Sequence, residues 1–193
     1  IEEKALLGVI LPLFSQMALE VCIGQQLDME FETRSEVRPE EYMEMIRLKT
    51  SVLLGASLQF GALIGGAQPA EALRLYEAGV QLGLAFQIQD DLLDVYGDEQ
   101  TFGKPIGGDI IHAKKTLLLL YTLEQLQCDA LSELHSILAL SPEERAGKVN
   151  RVRQLYDEAG TRAYAEGEVQ RLTDKAFSLI DQMELRDEGR SLL

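Results

Sequence analysis

The sequence predicts an all-α fold, an orthogonal or antiparallel helical bundle, and three observations carry that reading. Apolar residues recur at helical spacing over long stretches, with no credible strand alternation. Proline and glycine fall between those stretches, at Pro39, Pro69, Pro142 and Gly160, where helices would start or stop. Nearly half of the 193 residues (46%) are apolar, enough for a sizeable core in one domain over 1–193.

Residues 1 to about 32 read as one long helix. Leu6, Leu7, Ile10, Leu13, Phe14, Met17 and Val21 supply a broad apolar face, and Pro12 should kink it. Near its end Gln25 and Asp28 share a face with Cys22, either as a polar helix end or as a cavity wall. A polar connection over 33–38 leads to Pro39-Glu40-Glu41, a helix start with proline and acids in the first turn. That helix should run to Ala67. Lys49 lies where it turns from charged to apolar, either snorkelling outward or entering a polar pocket. Thr50 beside it could bond its own backbone.

A third helix is expected from Ala70 to Val95, with Gly79 and Gly83 marking close packing or ligand space. Lys114 to Leu140 reads as a strongly apolar helix. Ser141-Pro142-Glu143-Glu144 opens another, lasting to about Ala159. Gly160 should end it, and a final amphipathic helix should cover 161–183, with a frayed charged tail over 184–193.

Charge narrows the function classes. Asp plus Glu total 32 against 18 Lys plus Arg, a net charge of −14. Such a surface argues against nucleic acid and against anionic membranes. Cys22 and Cys128 form no metal-ligand pattern, and two buried thiols in a reducing cytoplasm are expected. No signal peptide shows, and the weakly polar run Ser51 to Ala67 is too short for a bilayer span, so no stable membrane insertion is expected. His112 and His135 are isolated and expected at the surface. No Ser/His/Asp or Cys/His arrangement points to covalent catalysis.

The most informative stretch is Phe86 to Thr116. Gln87, Asp90, Asp91 and Asp94 fall at i, i+3, i+4 and i+7 and share one helix face. Carboxylates so placed repel one another, which calls for a cation among them. A glycine-rich segment follows, carrying Lys104 and Asp109, with Lys114 beyond it. Hard carboxylate oxygens suit Mg²⁺, which completes its shell with waters and substrate phosphates, while lysines meet the remaining phosphate charge. The arrangement reads as a metal–diphosphate clamp.

Four blocks in this order give the chain a resemblance to trans-isoprenyl diphosphate synthases of the farnesyl and geranylgeranyl type. They are Gly24-Gln25-Gln26-Leu27-Asp28, Lys49-Thr50, Phe86 to Asp94, and Gly103-Lys104 with Gly108-Asp109 and Lys114. The resemblance covers nearly the whole chain and corresponds to the C-terminal two-thirds of that family. It implies the isoprenoid synthase fold and identifies Phe86 to Asp94 with the family's second aspartate-rich motif. By the same resemblance, Asp90, and less directly Asp91 and Asp94, would hold Mg²⁺ against an allylic diphosphate. Lys49, Lys104 and Lys114 would neutralise that diphosphate, with Thr50 and Gln87 presenting oxygen dipoles near its C1 carbon. Gln25, Asp28 and Asp109 would support the cavity. A homodimer is expected, with isopentenyl diphosphate as second substrate.

The family's first aspartate-rich motif and its basic Gly-Lys-x-Arg block are not found in residues 1–32. The N-terminal helices are therefore expected to be absent from these 193 residues, which alone should be inactive or nearly so. Two other readings remain at this stage: a terpene cyclase-like enzyme, and a non-catalytic subunit of a prenyl synthase.

Overall fold

In the computed structural model, residues 4–98 and 106–183 are described, and all their regular structure is helical. Lys104 and the tail over 184–193 lie outside the described residues.

Helix α1 (Lys4–Thr33) runs through Pro12 without a break. It leads to α2 (Pro39–Ile46), a single π-helical turn (Arg47–Ser51), and α3 (Val52–Ile64). Helix α4 (Pro69–Tyr96) is the centre of the bundle, packed between α3 and the last helix, α10 (Thr161–Asp181). Five short helices close the far side. They are α5 (Gly108–Ile111), α6 (Leu117–Gln125), α7 (Cys128–Leu138), α8 (Pro142–Ala146) and α9 (Val149–Glu158). The core joins Ile88 of α4 to Leu118 of α6, Leu134 of α7 and Leu155 of α9, all fully buried.

Three helices start with the same local device, x-Pro-x-Glu. Proline occupies the first helical position, where no N–H is needed. The Glu three residues after the cap then accepts the cap's backbone N–H. The pairs are Glu41 with Arg38 (3.0 Å), Glu71 with Gln68 (3.1 Å) and Glu144 with Ser141 (3.1 Å). Ser141 completes a reciprocal capping box, its hydroxyl accepting from the Glu144 N–H at 3.4 Å.

Two expected helices are each divided. The stretch from Lys114 to Leu140 opens at Leu117 instead, capped by Thr116, and breaks at Leu126-Gln127. Leu126 turns extended to reach the core, and Cys128 takes a positive φ of 51°. The stretch from Pro142 to Ala159 breaks at Gly147-Lys148, where Lys148 N–H bonds to Arg145 O at 2.8 Å.

Burial also departs from expectation. Cys22 and Cys128 are both exposed, not buried. The run Ser51 to Ala67 is buried on one side only: Val52 and Ala56 lie in the core, while Leu53, Leu54 and Ile64 are exposed. The longest apolar element is α1, the one helix among the described residues long and apolar enough to cross a membrane by length and composition. Few residues of that stretch are buried, and Leu11, Phe14 and Leu19 face outward.

Small residues let three helices converge. A Cβ on Gly24 of α1 would stand 2.3 Å from the Lys49 backbone nitrogen. One on Gly83 of α4 would stand 2.6 Å from Ser51 Cα. Helices α1 and α4 therefore clamp the π turn from two sides, and that turn carries Lys49 and Thr50.

Candidate active site

The π turn is held by a bond of its own as well as by α1 and α4. Ser51, fully buried against Gly83, turns its hydroxyl onto Ile46 O at 3.3 Å, five residues back, matching the wider helical repeat. Lys49 in this turn reaches α1, its Nζ 2.5 Å from Asp28 Oδ2. Thr50 reaches α4, its hydroxyl 3.4 Å from Gln87 Oε1.

On α4 the acidic residues divide by burial. Asp90 is exposed and Asp94 half-buried, while Asp91 is only 1% exposed. Asp91 accepts from the Tyr42 hydroxyl through one oxygen and from Gln87 Nε2 (3.3 Å) through the other. Asp94 Oδ2 accepts the Asp109 backbone N–H at 2.9 Å, and Asp94 O accepts the Gly107 N–H at 2.7 Å. Gly107 takes φ 86°, open to glycine, and so folds the returning chain back onto α4. Lys114, in the turn after α5, lies 3.5 Å from Asp109 Oδ1.

Beside these contacts lies a cavity of about 430 Å³ whose walls, from α1, α2, α5 and the turn after it, include Asp28, Met45, Asp109, His112, Lys114 and Lys115. Burial and neighbouring carboxylates set its electrostatics. Burial pushes the Asp91 carboxyl up to about 7, against the opposing effect of the Tyr42 hydrogen bond. Asp109 is also raised, by burial and then by Asp94 and Asp90, with Lys114 pulling the other way. Burial works against the Lys114 charge, but Asp109, Asp91 and Asp28 outweigh it and hold Lys114 above the usual lysine range. Among the described residues, Asp28, Asp90, Asp91, Asp94 and Asp109 thus share a region with the ammonium groups of Lys49, Lys114 and Lys115.

Among the described residues, no three carboxylate, histidine or cysteine side chains converge closely enough to hold a metal ion unaided. Magnesium does not require that, since one or two carboxylates and substrate phosphates complete its shell. Exposed Asp90 and half-buried Asp94 offer hard oxygens among neighbouring carboxylates, so the residues fit such an ion.

Most of the residues singled out in the sequence come together: Asp28, Lys49, Thr50, Gln87, Asp91, Asp94, Asp109 and Lys114 are linked by the contacts above. Gln25 is exposed. Sequence reasoning missed Tyr42 and Lys115. Tyr42 lies seven residues before Lys49, two helical turns, and that spacing could have placed it beneath the site. Lys115 donates to Phe31 O at 2.6 Å and ties the cavity wall to α1.

The comparison that decides the family is a sequence match of residues 7–158 to the polyprenyl synthetase model. The chain belongs to the polyprenyl synthetase family. Among its relatives, the short chain isoprenyl diphosphate synthase of Methanothermobacter thermautotrophicus is 37% identical over 172 residues, which cover 88% of this chain and 52% of that protein. The geranylgeranyl diphosphate synthase of Methanosarcina mazei is 44% identical over 111 residues, 58% of this chain and 34% of that one. A crystal structure of a geranylgeranyl pyrophosphate synthase superposes with a TM-score of 0.91 at 39% identity, covering 98% of this chain and 59% of the other. A geranylgeranyl pyrophosphate synthase from Corynebacterium glutamicum, solved with isoprenyl diphosphate and magnesium, gives a TM-score of 0.86 at 28% identity, covering 98% and 54%. This polyprenyl synthetase chain therefore spans about half the length of the relatives it matches most fully, and its all-α fold is theirs.

Proposed function

We propose that the protein containing these residues is a trans-isoprenyl diphosphate synthase, and that the site described here is its allylic diphosphate half-site. The carrying observation is that Asp28, Asp109 and Lys114 line one cavity and are joined by direct contacts to one another, to Lys49 of the π turn or to Asp94 of α4. The family and the magnesium and isoprenyl diphosphate bound in the Corynebacterium glutamicum relative support the same reading.

In the proposed reaction the allylic carbon–oxygen bond breaks, leaving diphosphate and an allylic cation. The double bond of isopentenyl diphosphate attacks that cation, a carbon–carbon bond forms, and a proton leaves to the departed diphosphate. Most of the barrier is charge separation, so stabilising the leaving group is the largest catalytic contribution. Lys49 and Lys114 neutralise the diphosphate, with Lys104 as a third candidate. Asp90 and Asp94 would hold Mg²⁺, whose contribution when bound is to draw charge from the diphosphate oxygens. Thr50 and Gln87 direct oxygen dipoles at the carbon that becomes positive. Met45 and Phe31, on the cavity wall, keep water from it.

Asp91 has a different role in this reading from Asp90. Its buried carboxylate is taken up by Tyr42 and Gln87 and anchors the motif instead of facing the ion. We also propose that the 193 residues alone bind the allylic diphosphate without turning it over. Radiolabelled isopentenyl diphosphate incorporation by this chain and by one extended at its N-terminus tests the proposal. Binding by both and prenyl product only from the longer chain is expected; product from the 193 residues would refute it.

A further inference from the structure

Gln87 sits in a chain of four side chains drawn from three elements. Tyr42 of α2 donates to Asp91 Oδ2, Gln87 Nε2 donates to Asp91 Oδ1 at 3.3 Å, and the Thr50 hydroxyl approaches Gln87 Oε1 at 3.4 Å. Tyr42 and Asp91 are each 1% exposed, so water does not substitute for either partner. An ionised carboxylate only accepts hydrogen bonds, and both Asp91 oxygens accept here. Turning the Gln87 amide over would set its oxygen against the Asp91 oxygen, acceptor to acceptor, and its NH₂ towards Thr50.

We infer that Tyr42 and Asp91 are positioning residues for catalysis: together they fix which end of the Gln87 carboxamide faces Thr50 and the reacting carbon. The inference rests on the proposed role of Gln87 as an oxygen dipole towards the allylic cation. A dipole helps a developing positive charge only with its oxygen forward, and an inverted amide would oppose that charge. Two residues that touch no substrate thus set the sign of one catalytic interaction.

Isosteric variants separate this from a packing role. Tyr42→Phe removes the hydroxyl that holds Asp91. Asp91→Asn has a sharper consequence. The Tyr42 proton needs an acceptor in its buried site, so the new amide turns its oxygen to Tyr42 and its NH₂ to Gln87. The Gln87 amide then inverts and presents NH₂ to Thr50, whose hydroxyl can accept it. All hydrogen bonds are kept while the dipole reverses.

The experiment uses the full protein and has two readouts. In the ligand-free protein, Gln87 side-chain ¹⁵N resonances report its amide environment. A shifted proton signal from the Asp91-bound NH is expected, displaced in Tyr42→Phe, where Asp91 loses its anchor, and lost in Asp91→Asn. Unchanged signals in both variants overturn the inference whether or not any ligand binds. The second readout compares affinity for a thiolo analogue of the allylic diphosphate, neutral at the reacting carbon, with affinity for one carrying an ammonium there. Tyr42→Phe and Asp91→Asn should weaken the ammonium analogue about tenfold more than the thiolo analogue, the size of one charge-assisted hydrogen bond. In a Gln87→Leu background neither should change that ratio further. Equal losses for both analogues reduce Tyr42 and Asp91 to packing roles. Failure of the wild type to bind either analogue counts against the diphosphate reading alone, and the resonances still decide the positioning.

Discussion

Lys49 places its Nζ 2.5 Å from Asp28 Oδ2, and the pair ties α1 to the π turn beside the cavity. Both side chains remain partly open to solvent, at 35% and 21% exposure, so the ammonium can be shared with an incoming phosphate. Lys49→Ala should weaken retention of an allylic diphosphate roughly 10- to 100-fold even at saturating magnesium, the loss of one strong charge-assisted contact. Asp28→Asn should weaken it less, because the ammonium survives. Calorimetric titration of both variants checks the order; a larger loss in Asp28→Asn contradicts it.

Asp90 and Asp94 should respond differently to removal. Asp90 is exposed and has no hydrogen bond shown among the described residues, so Asp90→Ala should abolish magnesium-dependent binding while moving unfolding stability by no more than about 0.5 kcal/mol. Asp94 also holds the Asp109 N–H, so Asp94→Ala should lower stability by about 1–2 kcal/mol as well. Urea unfolding alongside metal titration separates the two.

Burial raises Asp91 from the ordinary carboxylate range to about 7, so the metal-free folded protein takes up a proton that the unfolded chain releases near pH 4. The stabilising contribution of that proton is complete below about pH 4 and is lost as pH rises to about 7. Asp91→Asn should flatten this decline. Urea midpoints across that interval in a chelator measure it, and equal slopes for wild type and variant contradict it.

The glycines give a test of geometry apart from chemistry. Gly24→Ala would drive a methyl into the Lys49 backbone, and overpacking of this kind costs about 1–3 kcal/mol. Gly61, inside α3, has open space where a Cβ would stand. Gly61→Ala should therefore stabilise by up to about 1 kcal/mol. Thermal unfolding of the pair should move in opposite directions.

Much of the fold was legible because its signals are local. The x-Pro-x-Glu starts at Pro39, Pro69 and Pro142 act within one turn, so their residues alone reveal them. The break at Leu126-Gln127 has no proline or glycine; it follows from packing of Leu126 into a core assembled from distant helices. The π turn was equally hidden, since it depends on Gly24 and Gly83 pressing from elements far away in sequence. In the site, the helical spacing of Gln87, Asp90, Asp91 and Asp94 gave their common face but not their depth. That depth comes from α2, where Tyr42 waits for Asp91 across 49 residues. The exposure of the two thiols was hidden for a related reason: composition reports how apolar a stretch is, not whether anything within these residues covers it.

The central claim is that carboxylates from α4 and lysines from two other segments grip one diphosphate through magnesium. Calorimetric titration of the thiolo analogue into the wild type, Asp90→Ala and Lys49→Ala, each with and without magnesium, tests it most directly. The account predicts saturable binding to the wild type that requires magnesium, loss of that requirement together with most affinity in Asp90→Ala, and weakened binding in Lys49→Ala at every magnesium concentration. Equal affinity in all three proteins, indifferent to magnesium, would contradict it.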